Sequence, residues 1–354
     1  DLGYECYGRA GKICTGLLVH SCFLITCTGY LSLAASCIAG ITKLQTGTVL
    51  LLLTAGVWLH VFVKSLKALA VFSALNVALA FWIEAVIFGD AMYPLKQIAL
   101  DESAFEFETP DLSGASLVVK LSYSFTLLLS GFFCHSIVPT VYNAMDDYRQ
   151  STGVVVQSQL GVMVLLYLPI CVMTYAVYGD TLQAPLFFNM RNAFVRNMTI
   201  VLYCIHLLLS YTIALYPLQR AFESWLLRSS ICGGHTSASS AFTPLGVQAS
   251  LSAGTLGGST VDDSTARRME FVVKLVSRTV LVLLTLFLSY SLTPSALDIF
   301  GYMLVPVTLL SLVLPAVFYW HICREEARLV DKVAVVVVLL IALVTLGCSL
   351  TVFI

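Results

Sequence analysis

About nine runs of apolar residues divide this chain, each long enough to cross a bilayer. A hydrocarbon core is crossed by roughly 17–25 mostly apolar residues in a helix. Helices and closed barrels alone satisfy every backbone group inside lipid. The runs fall at roughly Ile13 to Gly40, Thr48 to Val63, Ala68 to Phe88, Leu117 to Thr140, Val154 to Tyr178, Thr199 to Leu218, Phe271 to Leu292, Leu297 to His321 and Val333 to Phe353. The expected fold class is therefore an all-α polytopic membrane protein. Composition agrees, since only 11% of the residues are charged, against roughly a quarter in soluble domains.

The fourth run contains an internal conflict. From Ser122 to Leu129 it reads as an apolar helix, and then it meets Gly131, the Cys134-His135 pair and Pro139. Glycine lacks a Cβ and proline lacks an N–H, so helical bonds near both are weakened or lost. Freed backbone groups persist in a membrane only where protein or a water-filled cavity surrounds them. A helix broken beside an ionisable imidazole is what a pathway for a polar substrate needs. The plainer alternative is a proline-kinked span with His135 hydrogen-bonded to a neighbour.

Alternate sides of the nine spans hold fourteen and five of the 19 Lys and Arg residues, which puts the richer side in the cytosol. Asp1 is then cytosolic and Ile354 extracytosolic. The stretch from Asp90 to Ser116 faces outward and is acidic, either a cation-attracting loop or a merely solvated one. Residues Ser229 to Ala266 are dense in Ser, Thr and Gly. That composition cannot bury a core and is expected to form a disordered cytosolic loop inside one transmembrane domain, 1–354. The sequon Asn197-Met198-Thr199 abuts the sixth span, which argues against its use. The chain opens at Asp1 without a signal peptide, and is expected to begin part-way along a longer protein.

Ionisable groups within the spans are few: Glu84 in the third, Lys120 near the outer end of the fourth, His20 and His206 in the first and sixth. Glu84 is either a proton or cation ligand or the partner of a neighbouring hydroxyl. These groups are scattered and form no H-E-x-x-H or similar pattern, so an enzyme is not expected. The eleven cysteines lie mostly in apolar runs with no C-x-x-C pair, and read as small buried hydrophobes rather than metal ligands. A net charge of −1 argues against a nucleic-acid partner.

Several motifs then carry a resemblance. Phe133-Cys134-His135 with Val138-Pro139 and Tyr142 looks like the sixth-helix motif of one transporter branch. Asp1-Leu2-Gly3, Tyr7-Gly8 and Gly11-Lys12 look like the lead into that branch's third helix. Lys67-Ala68-Leu69-Ala70, Tyr178-Gly179-Asp180, Leu215-Tyr216-Pro217-Leu218 and Leu314-Pro315-Ala316-Val317-Phe318-Tyr319 resemble segments of its fifth, seventh, eighth and tenth helices, in order. The chain thus resembles the amino acid/auxin permease superfamily, within it the sodium-coupled neutral amino acid transporters and the vacuolar amino acid transporters. The resemblance implies a LeuT-like inverted-repeat fold of five plus five helices and an eleventh, of which this chain holds the third onward and lacks the first two. Such proteins place substrate near the midplane, where unwound backbone meets the zwitterion.

That likeness further implies a secondary active transporter of amino acids coupled to Na+ or H+, without other cofactors. Its substrate half-site falls at Gly131, Phe133, Cys134 and His135, with the helix break at Gly131 and Pro139. Ser210 falls where the family's sodium-coordinating hydroxyl lies, with Thr212 nearby. Half of the central site would be missing from the residues present, so these alone are not expected to transport. The expected partners are an amino acid and the lipid bilayer. A sensor that binds without transporting, signalling through the Ser-rich loop, is the alternative.

Overall fold

The computed structural model describes residues 2–59, 66–92, 117–131, 151–179, 182, 185–231, 263–292 and 303–353, and these contain no strand. In chain order the helices are α1 (Leu2–Thr42), α2 (Thr46–Trp58), α3 (Leu66–Met92), α4 (Leu117–Gly131), α5 (Ser151–Val162), α6 (Leu168–Tyr178), α7 (Ala193–Ile231), α8 (Asp263–Leu292), α9 (Leu304–Thr308), α10 (Leu314–Cys323) and α11 (Leu329–Phe353). Two π turns, Met163–Tyr167 and Leu309–Val313, join α5 to α6 and α9 to α10. Among the described residues seven helices are long and apolar enough to cross a membrane.

Those seven cover the first, third and fifth to ninth apolar runs. The second run gives only the 13 residues of α2, and the fourth gives the 15 of α4. Residues 60–65 and 132–150, where those two runs would continue, lie outside the described residues. So do most of the acidic stretch and 232–262 of the Ser-rich segment, whose ends continue α7 to Ile231 and start α8 at Asp263. The sequon sits inside α7, with Thr199 buried and its hydroxyl donated to the Val195 carbonyl.

Both π turns stand immediately before a proline. Pro169 and Pro315 have no N–H, and a proline ring crowds the carbonyl one turn back. The residue ahead of each ring donates five residues back instead: Leu168 to the Met163 carbonyl and Leu314 to the Leu309 carbonyl. The wider turn makes room for the ring without ending the helix. Near its start α1 turns sharply, with Gly8 at φ 60° and ψ −145°. Leu2–Cys6 folds back so closely that a Cβ on Gly11 would overlap the Gly3 carbonyl. Lys43 then closes α1 in the left-handed region, its N–H bonded to the Ala39 carbonyl.

The long helices α1 and α7 form the centre. Phe23, Cys27, Leu31, Ala35 and Ala39 recur every four residues along α1 and meet Val49, Leu50 and Val57 of α2, Tyr211, Leu215 and Leu218 of α7, and Leu281 and Val282 of α8. A second α1 stripe, Leu33, Ala34 and Cys37, packs with Ile83 and Ile87 of α3, Ile200, Cys204 and Leu207 of α7, and Phe187 and Phe188 of a short 3-10 turn. Cys22 faces Met303, Val307 and Leu310 on a third side. Such small side chains let backbones approach, which is how helices associate where lipid is as apolar as leucine.

Polar bonds cross the same interfaces. Cys27 Sγ donates to the Tyr211 carbonyl, Cys204 Sγ to the Ala34 carbonyl, and Ser289 Oγ to the Thr28 carbonyl. Tyr211 Oη and Thr285 Oγ1 are 2.8 Å apart. The expectation of cysteines as small buried residues is met at Cys6, Cys22, Cys27, Cys37 and Cys204, whereas Cys14 and Cys171 are exposed.

Past Leu218, α7 continues through Glu223, whose carboxylate is 2.5 Å from Arg278 Nε of α8 and 3.7 Å from the half-exposed Arg220. Glu223 and Arg278 are both buried. Breaking a buried pair on one side leaves an uncompensated charge. Glu223→Ala is therefore expected to cost about 3–5 kcal/mol, read as a lower thermal midpoint in detergent. The apolar pair Glu223→Met with Arg278→Leu should recover most of that loss.

Candidate functional site

The membrane-spanning helices bring three polar positions together around α4, α6 and α3. At the last described residue of α4, the Gly131 carbonyl accepts a hydrogen bond of 3.2 Å from Tyr167 Oη. Tyr167 ends the π turn ahead of Pro169, so the wide turn sets where its ring points. A Cβ on Gly131 would stand 3.4 Å from that ring, an ordinary contact distance, so the two groups lie side by side. The other residues of the expected break, Phe133, Cys134, His135 and Pro139, lie outside the described residues.

Glu84 of α3 stands one turn before buried Ile87, within electrostatic reach of Tyr167 and Cys171. Its Oε1 is sealed from solvent and has no hydrogen-bond partner among the described residues. The hydroxyl pairing that is one reading of its sequence position is thus not found among them. Nothing in the sequence marks Tyr167 as its neighbour, because the two residues meet only when α6 packs on α3.

A second polar group links α3 to α7. Asn76 Nδ2 donates to Ser210 Oγ at 2.9 Å, and His206 Nδ1 lies 3.3 Å from the Asn76 backbone carbonyl. The Asn76 Oδ1 is buried and has no partner among the described residues. Thr212, also on α7, donates its hydroxyl to the Leu208 carbonyl at 3.1 Å, the back-bonding common for Thr within a helix. Ser210 and Thr212 thus share a helix but have different partners. His20 of α1 places Nδ1 2.5 Å from the Gly16 carbonyl.

The arrangement offers hydrogen-bonding groups inside a bundle of membrane-length helices, and no grouping of three or more metal-ligating side chains occurs among the described residues. An apolar groove of about 650 Å³ runs along α6 beside Cys171, Thr174 and Tyr175. Its walls are nearly free of polar atoms, so it does not suit a zwitterion. At one end of α3, Asp90 Oδ2 accepts from the Tyr178 hydroxyl at 3.4 Å and from the Arg191 N–H at 3.3 Å, tying α3, α6 and the segment before α7.

The family model described as "Transmembrane amino acid transporter protein" matches residues 1–354. The chain belongs to this family. It is accordingly an integral, multi-pass membrane protein, and its family implies an amino acid substrate. Comparison with curated proteins and with solved structures gave no match. In this transporter family member the Tyr167–Gly131 bond joins a candidate substrate position to a second helix. Removing a single hydrogen bond costs about 1 kcal/mol. Tyr167→Phe should accordingly weaken amino-acid binding roughly fivefold with expression retained, measured by equilibrium binding to the full-length protein.

Proposed function

We propose that the full-length protein is a secondary active transporter that moves amino acids across a membrane, coupled to Na+ or H+. Family membership supports the substrate class. The observation that supports the mechanism is the Gly131 carbonyl, held by a tyrosine from another helix. It supports a site beginning at Gly131 and continuing through Phe133, Cys134 and His135, of the kind that receives an amino acid's carboxylate and ammonium in transporters. The reaction is binding and alternating access. No covalent bond is broken, and no catalytic group is needed.

Ser210 and Thr212 are the proposed ion-binding hydroxyls. Support for Ser210 comes from its polar surroundings on two helices, with the Asn76 amide fixing one lone pair and leaving another to a cation. The positive-inside count supports Asp1 in the cytosol and Ile354 outside.

Uptake of a labelled panel of neutral amino acids into proteoliposomes holding the full-length protein tests this reading. Concentrative uptake is expected under an imposed Na+ or H+ gradient. Ligand binding with no flux would instead favour a sensor. His135→Ala and Pro139→Ala should lower uptake while leaving membrane insertion intact. If Na+ is the driving ion, Ser210→Ala, by losing one contact to a charged ligand of about 1.5 kcal/mol, should raise the Na+ concentration needed roughly tenfold. Wild-type kinetics in all three variants would contradict the assigned site.

A further inference from the structure

We propose that Glu84 is the proton-carrying residue of this transporter, its carboxyl moving H+ across the membrane together with the amino acid. The inference rests on the transporter reading and adds both the coupling ion and the residue that binds it. Glu84 lies within the third apolar run, two turns before the end of α3 and six residues ahead of Asp90, which finds its own partners. One of its oxygens is sealed inside the protein with no hydrogen bond from any described residue. An intramembrane carboxylate left in that state is costly, and its two remedies are a cation or a proton.

The surroundings favour the proton. Tyr167 and Cys171, where α6 packs on α3, lie within electrostatic reach of Glu84. Tyr203 of α7 lies near Tyr167 in turn, and His206 is engaged two turns away at the Asn76 carbonyl. No Lys or Arg pairs with Glu84 among the described residues. A Glu with no fixed cation can change charge without breaking a structural ion pair, which a shuttling proton requires. It is also close to the proposed substrate position, since the same Tyr167 holds the Gly131 carbonyl.

The step balances simply. With the site open to one side, a hydronium ion there loses H+ as one of its O–H bonds breaks, and an O–H bond forms on the carboxylate, neutralising it and leaving water. After the site opens to the other side, that bond breaks and the proton passes to water. One proton thus accompanies each loaded passage, and the empty return runs with Glu84 ionised and solvated.

The test uses the full-length protein in proteoliposomes, comparing wild type with Glu84→Gln and Glu84→Asp. Two readouts are taken: amino-acid accumulation driven by an imposed pH gradient, and exchange of labelled for unlabelled amino acid without any gradient. In wild type both should be present. Glu84→Gln should lose at least tenfold in gradient-driven accumulation while keeping exchange, because a fixed neutral group still permits the loaded passage. Glu84→Asp should keep accumulation with a displaced pH profile. Infrared spectra of the membranes give a third readout, a protonated-carboxyl band present in wild type and absent in Glu84→Gln. Proton-driven accumulation retained in Glu84→Gln, or no such band in wild type, overturns the proposal. Accumulation driven by Na+ alone overturns it and leaves the transporter reading standing. Loss of exchange together with accumulation in Glu84→Gln would make the carboxylate a substrate ligand, also overturning it. Absence of both activities in wild type removes the transporter reading itself, and the proton role with it.

Discussion

The close approach of α1 to α7 is the constraint on which the other described helices depend. Between two helices in lipid there is little hydrophobic driving force, so contact must come from packing and polar bonds. Small residues along α1 bring its backbone near enough for thiols to reach carbonyls in both directions: Cys27 to α7, and Cys204 of α7 back to Ala34. Around that pair α2 and α8 close one side and α3 another. Replacing these small residues by leucine would separate the backbones and strand the bonds between them.

The candidate site is held at the edges of this scaffold. Asn76, Ser210 and His206 sit where α3 meets α7, so their geometry is set by the central packing. Gly131, at the end of α4, belongs to the side where α4 meets α9 and α11, and it reaches the rest through Tyr167. Substrate at the Gly131 end and the polar group at the α3–α7 junction would therefore sit on different helices, with Glu84 and Tyr167 between them. A transporter needs such a division, because its two access states differ in how one group of helices sits against another.

Much of this was legible in the chain. Long apolar runs gave the membrane class and located seven described spans, because lipid allows few alternatives to a helix. Gly131 could be singled out because glycine and proline act locally on backbone bonds. The π turns were not foreseen, although Pro169 and Pro315 now account for them: a proline says that a helix must adjust, not whether it kinks, ends or widens. Glu84 was visible as a charge out of place, but its proximity to Tyr167 depends on how α6 docks on α3. The Asn76–Ser210 bond and the Glu223–Arg278 pair each join residues far apart in sequence, and a single sequence gives no sign of such pairings. Thr212 donates its hydroxyl within its own helix, the back-bonding that a Thr inside a span commonly makes.

Cys134 offers the most direct test of a wet, substrate-receiving gap beyond Gly131, since it is a native thiol within the proposed site. Full-length protein in membranes would be treated with a small, charged, membrane-impermeant thiol reagent, and modification at Cys134 read by mass spectrometry with and without saturating amino acid. The account predicts that Cys134 is modified and that a transported amino acid slows the modification. A thiol inert to the charged reagent, or modified at the same rate whatever amino acid is present, would contradict it.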